Sequence, residues 1–416
     1  MSVDPSPHAG SMQDAFRKIG QDLRYLAGFL PHRLARTEEE AEAADYIESR
    51  LREILGPQGV ESEPFDAPEN AMIIRGSIML EFLVVALIAT WWPLAAAAYG
   101  MVVTLLLILD LLGYPWLERL APTFLSRNVL GVCPGLNARS ILVFTAHYDS
   151  GMLTPMQRLA ETVGTRKLYL VAVGLALQAV GTCLVEGSLK YRGAEIPAMA
   201  LYRWAVTWGL FGAGILHFLS GRGEPSRGAN FNASGVAALL ALAERLREHP
   251  LRHCDVFIVL PGAHRENMAG LRAFLARCKP MRSYLRLIHV EGVGMGVPAC
   301  VTAEGEFTRN ADPVLITAAE RAAARFGAVP VKLSRPAGAW CALARGFPAI
   351  TITSADSMGR TDLPVSRDDS LGAVSEARTL EASRYIEALA RELDQAAGRE
   401  PRAPGGYPGD LYENQS

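Results

Sequence analysis

From Phe82 to Leu109 the chain carries no charged residue, and Glu81 and Asp110 bracket the stretch. Few folds accept such a run. One membrane helix takes about 20 apolar residues, and two tight crossings take about 40 with their turn. Trp91-Trp92-Pro93 stands near the middle, where a turn with interfacial aromatic residues belongs. The expectation is two crossings, residues 77–92 and 95–113, with a shallow re-entrant hairpin as the alternative. Parity favours two: soluble-looking sequence lies on both sides and reads as one fold, so the chain returns to the side it left. A second apolar insertion follows. Leu168–Val185 is uncharged, Ala198–Leu219 holds only Arg203 and His217, and polar Glu186–Pro197 joins them. Four such segments in two pairs predict two membrane hairpins; a set of buried core helices is the competing reading.

The bulk numbers agree. The chain has 416 residues, of which 50% are hydrophobic, and the mean hydropathy of +0.15 is high for a soluble protein. The net charge of −2 speaks against a nucleic-acid partner. The cysteines are scattered with no CxxC pair, so neither a zinc knuckle nor a disulfide framework is indicated. No basic segment followed by an apolar one opens the chain, so no cleavable signal peptide is expected. Arg75, Arg119, Arg127, Arg158, Arg166, Lys167, Arg222 and Arg227 flank the membrane ends on the main-domain side; Lys190, Arg192 and Arg203 lie opposite. The positive-inside bias therefore puts the main domain in the cytoplasm of an inner or plasma membrane protein.

Outside the insertions the pattern is α/β. Thr37 and Glu40 have the spacing of a capping box ahead of an amphipathic helix over Glu38–Leu55. Val60–Phe65, Arg127–Val132, Ser140–Phe144, Val256–Leu260, Leu287–Val290 and Ala349–Thr353 read as strands, and Val236–Leu246 and Leu380–Leu393 as helices. The alternation predicts a mostly parallel central sheet flanked by helices, with its site at the strand C-terminal ends. Residues 13–76, 126–150 and 221–396 form one domain in this reading. Residues 77–125 and 151–220 are the membrane insertions, 1–12 a disordered lead and 397–416 a tail.

The chemistry-bearing stretch is Val143–Ser150, VFTAHYDS, an apolar strand ending in His147-Tyr148-Asp149. Residues two apart on a strand share a side, so Asp149 can hold the His147 ring or stand beside it at a cation. Further on come GANFNASGVAALLALAERL, GAHRENMAGLRAF, IHVEGVG and ARGFPAITI. In this order the motifs resemble the M28 family of zinc aminopeptidases, from about Leu26 to about Leu393, with the hydrophobic insertions as extras. The family's forms are GANDNASGVA, GAEExGLxGSxAF, NLDxxG or NLExxG, and a late GxPA strand.

The resemblance implies two zinc ions sharing a bridging carboxylate. It places His147 and Glu291 at ligand positions and Asp149 at the residue that orients His147. It also implies losses. The bridging Asp falls on Phe231, the general base on His264, the acidic ligand beside it on Arg265, and the last His ligand on Val365. No histidine follows His289, so that last loss does not depend on the alignment. Phe231 has no donor atom, and an arginine cannot ligate zinc. Arg265 is expected to take the metal's electrostatic role by pairing with Asp149 or Glu291. Asn230, Asn232 and Ser234 read as caps of the following helix, Phe231 as a packing residue, and Asp368 and Asp369 as a solvated turn.

Three functions remain in play. The first is a membrane-anchored, catalytically inactive pseudo-peptidase without zinc that binds a peptide terminus or another membrane protein. The second is an active hydrolase with one zinc on His147, Glu291 and His264, and Glu266 as the fallback base. The third is a structural subunit of a membrane assembly with its cleft filled by side chains.

Overall fold

The computed structural model describes residues 7–356, 358–361 and 368–399. It divides into two compact units. The first comprises residues up to 67, 124–151 and from 225 onward; the second comprises residues 68–123 and 152–224.

In the first unit the chain opens with helices α1 (Pro7–Leu23) and α2 (Glu38–Leu55). Helix α1 begins inside the lead expected to be disordered. At the start of α2 the Thr37 side chain accepts from the Glu40 N–H at 3.3 Å. The Glu40 carboxylate does not close a capping box; it accepts from Arg36 N–H at 2.6 Å, Ser126 Oγ at 2.9 Å and Ala263 N–H at 3.1 Å.

The sheet strands are β1 (Val60–Pro68), β2 (Thr123–Cys133), β3 (Ser140–Thr145), β4 (Cys254–Leu260) and β5 (Leu285–Val290). They are followed by β6 (Val297–Glu304), β7 (Arg309–Asn310), β8 (Val329–Lys332) and β9 (Ala349–Ala355). The order across the sheet is β1-β2-β4-β3-β5-β9-β6-β8, with β7 on β6. The central strands β4, β3, β5 and β9 run parallel; β2 joins β4 and β6 joins β9 antiparallel. The sheet is thus mixed, with a parallel centre.

Alternation along the strands makes two cores. Leu142 and Phe144 of β3, Ile258 and Leu260 of β4 and Ile288 and Val290 of β5 face one core. Ile141 and Val143, Phe257 and Val259, and Leu285 and Leu287 face the other. A strand buried on both faces reads as a continuous apolar run, which is why these strands are visible in the sequence.

The second unit holds α3 (Ala71–Trp91), α4 (Pro93–Leu111), α5 (Pro155–Val163), α6 (Thr165–Tyr191) and α7 (Pro197–Phe218). The break between α3 and α4 falls at Trp92, before a proline that starts the next helix. Among the described residues three helices, α3, α4 and α6, are long and apolar enough to cross a membrane. The fourth expected segment is also a helix, α7. Helix α7 is long enough with 22 residues, but Arg203 and His217 lower its hydropathy. Within the unit Arg203 pairs with Glu186 of α6. Arg75 Nε donates to Asp110 Oδ2 at 2.5 Å and Arg75 Nη1 to Tyr169 Oη at 3.0 Å. Gly76 and Gly214 let α3 and α7 approach closely: a Cβ on Gly76 would lie 2.9 Å from the Gly214 carbonyl oxygen.

The remaining helices belong to the first unit: α8 (Ser234–Glu248), α9 (Ala269–Arg277), α10 (Pro313–Ala323), α11 (Gly338–Ala344) and α12 (Glu376–Arg399). Helix α12 enters the expected tail; residues 400–416 lie outside the described residues.

Candidate metal centre

The C-terminal ends of β3, β4 and β5 converge on one place. β3 delivers His147 and Asp149, the loop after β4 delivers His264, and β5 delivers His289 and Glu291. One ligand atom from each of His147, His264, His289 and Glu291 lies within 4.8 Å of those of the other three. His147, His289 and Glu291 are buried and His264 is mostly so. The sequence reading assigned no role to His289. A signal was present: like His147 and Asp149, His289 and Glu291 stand two apart at a strand end and so share a side.

The imidazoles form a stack. His147 and His264 lie 3.9 Å apart at 10°, and His289 is 5.8 Å from His147 at 8°. Burial pushes the His147 imidazolium far below its ordinary range, and the neighbouring His264 and His289 push it further. Burial and His289 hold His264 at about 3. The His147 and His264 rings are therefore neutral at pH 7. Neither ring nitrogen of His147 has a hydrogen-bond partner among the described residues, nor does Nδ1 of His264 or of His289. Buried polar nitrogens rarely stay unpaired.

The cation on Glu291 is Arg335, not Arg265. Arg335 Nη2 donates to Glu291 Oε1 at 2.6 Å, and His289 Nε2 meets Glu291 Oε2 at 3.2 Å. Burial alone would raise the Glu291 carboxyl, but the Arg335 charge and the His289 contact hold it down at about 2. The Arg335 guanidinium also lies over the Phe231 ring at 5.5 Å. Phe231 packs edge-on against His147 at 4.9 Å.

Asp149 makes no hydrogen bond to His147. Its Oδ2 accepts from the backbone N–H of Arg265 at 3.1 Å, so it secures the loop that carries His264. That loop is strained: Ala263, Asn267 and Met268 have φ of 49°, 56° and 58°. Burial, with the charge of Glu40, pushes Asp149 up to about 7. Glu266, the fallback base, is buried and stands outside the four-residue donor group.

The GANFN segment is a turn of π-helix, Ala229–Ala233. Its asparagines do not cap α8. Asn230 Oδ1 accepts from Gly294 N–H at 2.8 Å, and Asn232 Oδ1 accepts from Arg33 Nη2 at 2.7 Å. Asp369 is buried, not a solvated turn; its carboxylate accepts the N–H groups of Asn230 at 2.5 Å and Phe231 at 3.2 Å. Arg33 is fully buried and also donates to the carbonyls of Leu26, Tyr148 (2.8 Å) and Gly228 (3.1 Å). Neither Arg33 nor Arg335 has a sequence motif around it. Val365 lies outside the described residues.

No family model matches the sequence, and no curated protein matches it. Solved structures do resemble the fold. A glutaminyl cyclase from an Acidobacteriales bacterium is 13% identical over 92% of this chain and 95% of its own, with a TM-score of 0.52. BSAP, a zinc aminopeptidase from Bacillus subtilis, is 13% identical over 91% and 95%, with a TM-score of 0.53. An aminopeptidase from Aneurinibacillus sp. strain AM-1 is 12% identical over 90% and 93%, with a TM-score of 0.51. The fold is that of zinc aminopeptidases and glutaminyl cyclases. At these identities the likeness is one of fold alone.

Among the described residues the donor set could hold one metal ion. Three imidazoles and a carboxylate are ligands that zinc accepts, and four of the ring nitrogens have no hydrogen-bond partner among the described residues. A second ion finds no donor at Phe231 or Arg265.

Proposed function

We propose that this chain is a membrane-embedded, peptidase-like protein that binds one divalent metal ion and acts by binding rather than by two-metal peptide hydrolysis. The observation that supports it most is the cluster of four donor atoms within 4.8 Å of one another, with both His147 nitrogens unpartnered. His147, His264, His289 and Glu291 would hold the ion. When bound, it would supply a positive charge and a Lewis acid toward a carbonyl or carboxylate of the bound partner. The chain's own residues do the rest. Arg335 fixes one oxygen of Glu291, leaving Oε2 as the ligand atom. Asp149 pins the loop bearing His264. Phe231 puts apolar bulk where the resemblance places a bridging carboxylate. His147 and His264 are stacked and parallel, so one ring would have to turn for both to hold the same ion.

The second reading is a wholly metal-free pseudo-peptidase. The Arg335–Glu291 pair at 2.6 Å favours it, because the guanidinium already supplies a cation to the buried carboxylate. Elemental analysis of detergent-purified protein separates the two. About one metal per chain, lost in His147→Ala, supports the first; no stoichiometric metal leaves the second. Appreciable hydrolysis of aminopeptide substrates would overturn both.

A further inference from the structure

The second unit carries unused chemistry at one end of its helix bundle. Helices α4 and α6 run antiparallel: Gly100 abuts Val180, and Gly187 abuts Leu94. The end of α4 and the start of α6 therefore share one end, where Asp110 and Tyr169 meet on Arg75. Beyond this level the surface changes. Tyr114 is 42% exposed and Trp116 is 58% exposed, and Arg119 lies over the Trp116 ring at 5.0 Å. Arg158, Arg166 and Lys167 are exposed, and none has an ion pair among the described residues. Arg166 and Lys167 stand in the first turn of α6, where a cation opposes the helix dipole, so helix stability does not account for them. At the opposite end Trp91, Trp92 and Tyr191 are exposed. There Lys190 donates to the Trp91 carbonyl at 3.0 Å. The two aromatic girdles are separated by α3, whose 21 residues span about 31 Å, the thickness of a hydrocarbon core. Among the described residues the first girdle carries the larger group of unpaired cations, Arg158, Arg166 and Lys167; at the opposite one Arg192 is exposed and Lys190 is held by the Trp91 carbonyl.

We infer that Tyr114, Trp116, Arg119, Arg158, Arg166 and Lys167 bind the headgroups of anionic phospholipids. The aromatic rings sit at headgroup level, and the cations meet the phosphates of an anionic leaflet. This rests on the reading that the helices span a membrane. It commits to a lipid rather than an acidic protein, because the cations share their level with an aromatic belt at the end of an apolar bundle.

The test uses the full chain in nanodiscs of phosphatidylcholine alone or mixed with phosphatidylglycerol, read by thermal midpoint and by lipid retained in native mass spectrometry. The native chain is expected to show a higher midpoint with phosphatidylglycerol and to retain it preferentially. In the variant combining Arg158→Gln, Arg166→Gln and Lys167→Gln, that preference falls by about a hundredfold. The opposite-end variant, Lys190→Gln with Arg192→Gln, retains it. Equal midpoints and retention in both lipids, or an unchanged preference in the triple variant, overturn the inference while the spanning reading stands. Failure of the chain to enter nanodiscs overturns both.

Discussion

Arg335 and Glu291 show how a buried carboxylate changes its counter-ion. Glu291 is fully buried, and a lone ionised carboxylate there would be costly. In Arg335→Gln, measured on chelator-treated protein, the expected loss is about 3 kcal/mol, seen as a lower thermal midpoint; an unchanged midpoint would show that the pair is dispensable. Glu304 behaves oppositely. It is 2% exposed, and burial pushes its carboxyl up to about 8 from an ordinary 4.5. Its folded-state value lies above the unfolded one, so its contribution is complete below about pH 4.5 and is lost as pH rises towards about 8, at about 1.4 kcal/mol per pH unit. Denaturant titrations across that window should show stability falling, and Glu304→Gln should flatten the slope. At this scale the sequence was legible where a residue stood in a motif, as His147 and Glu291 do. Arg335 could not be read, because its role depends on a fold that brings a loop after β8 to the end of β5. Arg265 offered a nearer arginine, and the backbone N–H of that residue meets the carboxylate of Asp149.

Elements place these residues by close approach. The first residue of α11, Gly338, lies so near His289 that a Cβ would overlap the ring at Nδ1. Gly338→Ala should displace His289 at a cost of about 1–3 kcal/mol and lower the metal retained per chain; full retention with an unchanged midpoint would show that α11 does not set the ring. Strands β3, β4 and β5 were readable because both their faces are buried and their apolar runs are unbroken. β6 was not, since Pro298 and Thr302 interrupt VPACVTAE. β8 is four residues long, too short for any periodicity. Helix α10 was missed although Asp312 caps it, accepting from Val314 N–H at 3.0 Å and Leu315 N–H at 3.2 Å, with proline at the first helical position. That signal was present in the sequence. The asparagines of GANFN were misjudged because their turn is π-helical, and their side chains tie the loops together instead of capping α8.

On the scale of the whole molecule, a peptidase-like sheet domain and a unit of apolar helices share one chain. Hydropathy reads α3, α4 and α6 directly and passes over α7, whose Arg203 is buried against Glu186. If α7 completes the bundle, Glu186→Gln strands a buried arginine and should lower the yield of detergent-extracted protein sharply, while Glu186→Gln with Arg203→Leu restores it; no loss in the single variant would mean that the pair is solvated. The central claim concerns the other unit: a fold shared with zinc aminopeptidases and glutaminyl cyclases in which the donors that remain suit a single ion. The most direct measurement is elemental analysis of the purified, undenatured chain beside His147→Ala and His289→Ala. The account predicts about one metal ion per native chain and a loss of most of it in each variant. No metal in the native chain, or two ions per chain, would contradict it.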